Sequence, residues 1–298
     1  KRLVTLAVGS ATPERICELA CGLCSLVVRF TGDAMIVTDP QMCESLAEQR
    51  ALYTEEGISA WRRFFLRNPE DERAGQGHFA LASLHAFAAD PYSAIEEYDL
   101  LAGRFPRDDA AAPALLQSAK LRLGHQDYAG ALDRLEVLLN RWPEFGALDE
   151  AYLLLGRDHE RSGHFDEALS VFRKLYYLEL SLSSRQGACL GAARACRGMG
   201  KHETVCLWVR RFLARDRDGG EQAVRARLLM AESLAAMGRA DEAASVLHVA
   251  LADRPPMELE AEVLMALSAA HATRGQPVQA FAVLRQIDPS RLKGSAFY

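Results

Sequence analysis

Arg157, His159, Glu160, Arg161, His164 and Asp166 crowd into GRDHERSGHFDEALSVF, residues 156–172. Imidazoles beside carboxylates are the raw material of metal sites and of acid–base chemistry. The spacing serves neither. A zinc-binding helix sets two histidines four apart around a glutamate so that both rings share one face. Here His159 and His164 are five apart, with the helix breaker Gly163 between them. The chain also lacks a Gly-x-x-x-x-Gly-Lys-Ser/Thr loop, a Gly-x-Ser-x-Gly elbow and a Gly-x-Gly-x-x-Gly fingerprint. Of seven cysteines, Cys17, Cys21 and Cys24 share one helical face, and Cys189 and Cys196 share another. They read as small core residues, since Cys21–Cys24 is a lone Cys-x-x-Cys pair with no second pair at metal-site spacing. The expectation is a non-enzymatic chain with no catalytic residue, no cofactor and no metal.

The elements that carry these residues repeat. Ala168 of the quoted stretch recurs as Ala94, Ala131, Val205, Ala243 and Ala280, in steps of 37, 37, 37, 38 and 37 residues. Gly163, Gly200, Gly238 and Gly275 each stand five residues before that small position. Four residues after it come Tyr98, Leu135, Phe172, Val209, Leu247 and Leu284, and Pro106, Pro143 and Pro255 close three of the copies. Tyr152, Leu155, Gly156 and His159 lie at i, i+3, i+4 and i+7, one face of an amphipathic helix. Gly163 suits the left-handed cap that ends it. A second helix starts at Phe165, with Asp166 and Glu167 in its first turn, where the helix dipole favours acid. His159 shares its repeat position with Cys196, Leu234 and His271. A position that accepts His, Cys and Leu is a packing position, and the same reading covers His78 and His85. Helical hairpins of this kind bury their apolar faces only by stacking on one another.

The pattern resembles the tetratricopeptide repeat, carried by Tyr152, Leu155, Gly156, His159, Gly163, Phe165, Ala168 and Phe172. Residues 228–255 and 264–288 match nearly as well. The resemblance implies a mainly α fold, a right-handed α-solenoid with six hairpins of about 37 residues over residues 75–288. The units run longer than the usual length of about 34 residues. Their joints, GRFPRDD and NRWPEFG, look like the envelope branch of the family, which includes outer-membrane assembly lipoproteins and periplasmic division coordinators.

Flanking segments depart from the period. Residues 43–74 read as a divergent capping helix pair ending at Pro69, and residues 289–298 as an aperiodic tail. Residues 1–42 read as strand, helix, strand, strand: LVTLAV, a helix begun by Thr12-Pro13, then SLVVRF and AMIVTD joined at Thr31-Gly32-Asp33. This small α+β unit resembles the second half of the short N-terminal domain of secretins and TonB-dependent transducers.

The family resemblance also implies a binding surface, the concave groove lined by the first helix of each hairpin. Its ninth helical position holds Lys120, Arg157 and Arg194 at 37-residue steps and then Glu232. Arg161 and Arg197 lie a turn beyond two of them. Stacked copies would align these residues into a basic ladder, and guanidinium groups capture carboxylates in bidentate fashion. A cochaperone-type clamp would also need groove asparagines, and Asn68 and Asn140 stand elsewhere. The expected partner is therefore an acidic or carboxylate-bearing protein segment.

The totals agree with this. A net charge of −5 provides no basic field for nucleic acid, and 49% apolar with 25% charged residues is ordinary for a soluble globular chain. The chain opens on Lys1, which reads as a processed start. The expected function is a scaffold of a bacterial envelope assembly, periplasmic or outer-membrane-associated, with self-association through its ends. The alternative is a cytoplasmic regulatory scaffold whose first forty residues are an unrelated docking element.

Overall fold

The computed structural model describes residues 12–287 apart from 24–25, 32–33, 69–70, 72, 179 and 217–218. Contacts divide the chain into two units, Lys1–His125 and Gln126–Tyr298. In the first, helix α1 (Pro13–Leu23) precedes strands β1 (Val27–Thr31) and β2 (Ala34–Thr38). The strands pair antiparallel, from Val27 opposite Thr38 to Thr31 opposite Ala34. Val27 and Val28 are buried. The helix–strand–strand order agrees with the sequence, while the first expected strand, Cys24, the Gly32-Asp33 loop, Pro69 and the tail lie outside the described residues.

Residues 43–74 do not form the expected helix pair. After a short 3-10 turn at Pro40–Met42, one 22-residue helix, α2 (Leu46–Arg67), runs unbroken. Gly57, in its middle, marks a close approach rather than a break. A β-carbon there would stand 2.9 Å from Cδ1 of Leu84. Helix α3 (Ala74–Phe87) then pairs with α4 (Pro91–Arg104), and α5 (Ala111–Gly124) packs on α4. Ala82, Ala94, Tyr98, Leu101 and Ala114 form the core of this layer. His78 and His85 are both buried. The His78 ring stacks on Phe65 at 4.1 Å, with Nδ1 2.7 Å from Oε2 of Glu97.

The second unit comprises α6 (Tyr128–Arg141), α7 (Leu148–Arg161), α8 (Phe165–Leu178), α9 (Leu182–Gly198), α10 (His202–Leu213), α11 (Glu221–Ala236), α12 (Ala240–Ala252), α13 (Met257–Thr273) and α14 (Pro277–Leu284). Each helix packs on the next, and the first helices also contact one another: α7 with α9, α9 with α11, α11 with α13. The small residues Ala168, Val205 and Ala243 are buried to 1% exposure or less, as are Phe172, Val209 and Leu247 four residues later. Complete burial of each such large side chain is worth about 1.5–3 kcal/mol.

The turns follow the glycine frame. Gly163, Gly200, Gly238 and Gly275 take φ of 78°, 69°, 73° and 70°. The next N–H donates to the carbonyl five residues back, His164 to His159 at 2.8 Å and Lys201 to Cys196 at 2.9 Å. This is the Schellman arrangement, which satisfies carbonyls the helix end leaves open. The first two copies place Ala89 (φ 58°) and Gln126 (φ 63°) at the same position.

Candidate functional site

The histidine-rich stretch resolves into packing and capping. His159 is buried, its Nδ1 has no hydrogen-bond partner, and burial lowers its pKa. A buried neutral imidazole of this kind is a core residue. Asp166 and Glu167 sit in the first turn of α8, and Asp166 also reaches Nζ of Lys201 at 3.3 Å. Asp241, its counterpart on α12, meets Arg274 in the same way at 2.5 Å. These acids tie one hairpin to the turn of the next. Among the described residues no group of three His, Cys, Asp or Glu side chains is placed to hold a metal ion. Burial pushes the Cys189 thiol up to about 11 and raises Cys196 and Cys206, so these thiols are protonated at neutral pH rather than nucleophilic.

The first helices of the second unit build a cleft of about 430 Å³. Leu190 on α9 and Leu228 and Leu229 on α11 give it apolar walls, and Gly187 and Ala226 keep its floor low. Arg157 enters from α7, Arg194 and Arg197 from α9, Arg225, Gln222 and Glu232 from α11, and Glu262 from α13. Four arginines thus face two glutamates, and the lining is net positive.

The arginines are not all available. Arg194 Nε donates to both carboxylate oxygens of Glu160, at 2.9 and 3.1 Å. Arg197 Nη1 donates to Oε2 of Glu232 at 2.8 Å. Both bonds cross from one first helix to its neighbour, so they brace the stack as well as neutralise it. Arg225 pairs within its own helix with Glu221. Arg157 is exposed and carries no ion pair among the described residues, and the same holds for Glu262. Such half-exposed pairs are worth about 0–1 kcal/mol each and yield readily to a better carboxylate.

Four of the six residues expected at a groove therefore converge: Arg157, Arg194, Arg197 and Glu232. Arg161, the last residue of α7, does not line the cleft; it is exposed and interacts with the buried Asp158. Lys120 lies half-buried on α5, in the first unit. The uninterrupted basic ladder becomes alternating ion pairs with an open guanidinium at Arg157. Arg225 and Glu262 are additions. Arg225 stands seven residues before Glu232, on the same helical face, and Glu262 repeats it 37 residues on. Extending the ninth-position row by two turns would have found both.

No family model matches the chain, and no curated protein matches it. Solved structures do. The C-terminal part of a TPR repeat-containing protein from Cytophaga hutchinsonii aligns with TM-score 0.58 at 10% identity, over 81% of this chain and 93% of its own. BtubC from P. vanneervenii aligns with TM-score 0.55 at 19% identity, over 72% and 89%. A tetratricopeptide repeat protein from Parabacteroides merdae gives 0.50 at 15% identity, over 83% and 93%. The fold is thus that of tetratricopeptide-type helical repeats, with a strand pair near its N-terminus. At these identities the likeness describes the fold alone.

Proposed function

We propose that the chain is a non-enzymatic scaffold whose second unit binds an acidic protein segment along the cleft of α7, α9, α11 and α13. One observation carries the reading: four arginines from three successive first helices converge on a leucine-walled cleft, with Arg157 open. A partner carboxylate takes Arg157 directly and competes with Glu160 and Glu232 for the rest. The apolar side chains of the same segment lie against Leu190, Leu228 and Leu229. The test is binding of a fluorescein-labelled peptide of alternating glutamate and leucine. Arg157→Glu with Arg194→Glu should abolish it while leaving the circular dichroism spectrum unchanged. Unaltered binding by that double variant would sink the proposal.

The proposal extends to place. The order α1, β1, β2 is the one that the resemblance to the short secretin-type domain implies, and it supports the reading of an envelope assembly. The thiols favour the second reading, a cytoplasmic scaffold. Cys17, Cys43, Cys189, Cys196 and Cys206 are free thiols, which suits a reducing compartment. Fractionation of the native cells with an antibody to the chain separates the two readings.

A further inference from the structure

The second helices carry a cationic surface of their own. Arg173 and Lys174 of α8, Arg211 of α10 and Arg215 just past its C-terminus have no carboxylate partner among the described residues. Their neighbours are rings instead. The Arg211 guanidinium stands 4.7 Å from the Trp208 ring centre and 5.7 Å from that of Tyr176. Arg215 lies 5.5 Å from Tyr176, and Lys174 lies 5.2 Å from Tyr152. Trp208 and Tyr176 meet edge to face at 5.4 Å. Six other arginines of this unit, Arg194, Arg197, Arg225, Arg227, Arg239 and Arg274, each pair with a carboxylate. A chain with net charge −5 thus leaves three cations unneutralised on one pair of helices and a fourth, Arg215, just beyond it.

Between these helices lies a notch of about 240 Å³, walled by Leu169, Thr204, Leu207 and Trp208, with Arg173 and Arg211 at its edge. Tyr177 and Leu207 stand at its mouth, 64% and 57% exposed. A second pocket shares Leu169, Arg173 and Tyr177 and continues past Lys174 to the Lys201–Asp166 ion pair, so the cations that stay unpaired there are Arg173 and Lys174. Cations held over aromatic faces are already ordered, which lowers the entropy lost when an anion binds.

We propose that the α8–α10 face docks an acidic protein segment that inserts an apolar side chain into the notch beside Trp208. Charge complementarity selects the acid, and the apolar walls select the side chain between the acids. A nucleic acid fits less well. Trp208 is 5% exposed and has no open face for a base, and the chain's net negative charge repels a long polyanion. The same repulsion disfavours an anionic bilayer. This surface is independent of the groove, which is built from first helices only.

The experiment uses a fluorescein-labelled peptide in which glutamates flank a central phenylalanine. Its control carries glutamine for every glutamate. Anisotropy is followed with the intact chain, together with tryptophan emission in a Trp61→Phe, Trp142→Phe background that leaves Trp208 as the reporter. Salt-sensitive binding of the acidic peptide is expected, weakened about tenfold by Arg173→Glu with Arg211→Glu and comparably by Leu207→Asp. The groove variant carrying Arg157→Glu and Arg194→Glu should retain it. Equal binding of the glutamine peptide would overturn the proposal, as would indifference to the α8–α10 variants. So would tighter capture, through the same residues, of a single-stranded oligonucleotide or of phosphatidylserine vesicles. Loss of binding in the groove variant alone would assign the peptide to the groove and remove the case for this face.

Discussion

A β-carbon placed on Gly156 would stand 2.5 Å from Cε1 of the Phe172 ring. Helices α7 and α8 are that close because the first offers no side chain where the second presents its largest fully buried one. Gly156→Ala brings a helix-propensity gain of about 1 kcal/mol, but overpacking a fixed aromatic ring costs about 1–3 kcal/mol. The variant should therefore be destabilised by up to about 2 kcal/mol in urea unfolding. Gly103 on α4 supplies the control, since nothing lies within 4 Å of its added β-carbon. Gly103→Ala should be stabilising. Equal and positive effects at both sites would show that α7 and α8 separate without penalty.

Asp158 makes the opposite error, a charge where space wants an apolar atom. It is fully buried, and neither carboxylate oxygen has a hydrogen-bond partner. Ala195, Ser233 and Ala270 fill the same repeat position, all buried. Burial raises its pKa from 3.8 to about 6, against the nearby positive charge of Arg161 and with the help of Asp127. Since the folded value exceeds the unfolded one, the native state holds an extra proton between about pH 4 and pH 6. Stability falls as pH rises through that window and stays reduced above it, by up to about 3 kcal/mol. Asp158→Ala should raise the urea midpoint clearly at pH 7 and little at pH 4. A gain of the same size at both pH values would show that packing, not charge, is at fault.

How legible the fold was depended on which force placed each element. The hairpins were readable because their packing demands recur: Ala168, Phe172 and Gly163 answer the same requirements in every copy. The helix pair expected over residues 43–74 is one helix, and Gly57 in its middle serves a close approach to Leu84, a contact that no local pattern in the sequence displays. In the cleft, a single-residue register sets Arg157 and Arg194 on successive first helices, and both line the cavity. It could not show that Glu160 and Glu232 reach across from neighbouring helices, since such pairs depend on the offset between stacked helices.

The turn frame yields a prediction of its own. Ala89 occupies the left-handed position that glycine takes in four later copies, with φ of 58°. Holding an alanine there costs roughly 1–2 kcal/mol of backbone strain, partly offset by the greater freedom glycine has when unfolded. Ala89→Gly should accordingly stabilise the chain by up to about 1 kcal/mol, read as a higher urea midpoint with an unchanged slope. The reverse change, Gly200→Ala, should destabilise by a similar amount. If Ala89→Gly lowers stability, the α3–α4 turn is not of the Schellman type seen at Gly200.

In the proposed binding mode, Glu160 is the internal competitor of the acid that enters the cleft. It holds Arg194 by two hydrogen bonds in a half-exposed setting, so an arriving carboxylate must displace it. Glu160→Gln removes that competition while retaining an oxygen that can accept from the guanidinium. The glutamate–leucine peptide should then bind about two- to fivefold more tightly, the equivalent of a surface ion pair worth 0.5–1 kcal/mol. Glu232→Gln should do the same through Arg197, and the gain should shrink as salt screens the cleft. Glu144→Gln, outside the cleft lining, controls for net charge alone. A weaker complex after Glu160→Gln would reverse the assignment. Glu160 would then be aiming Arg194 at the ligand, and the ion pair between α7 and α9 would be part of the binding surface rather than its lock.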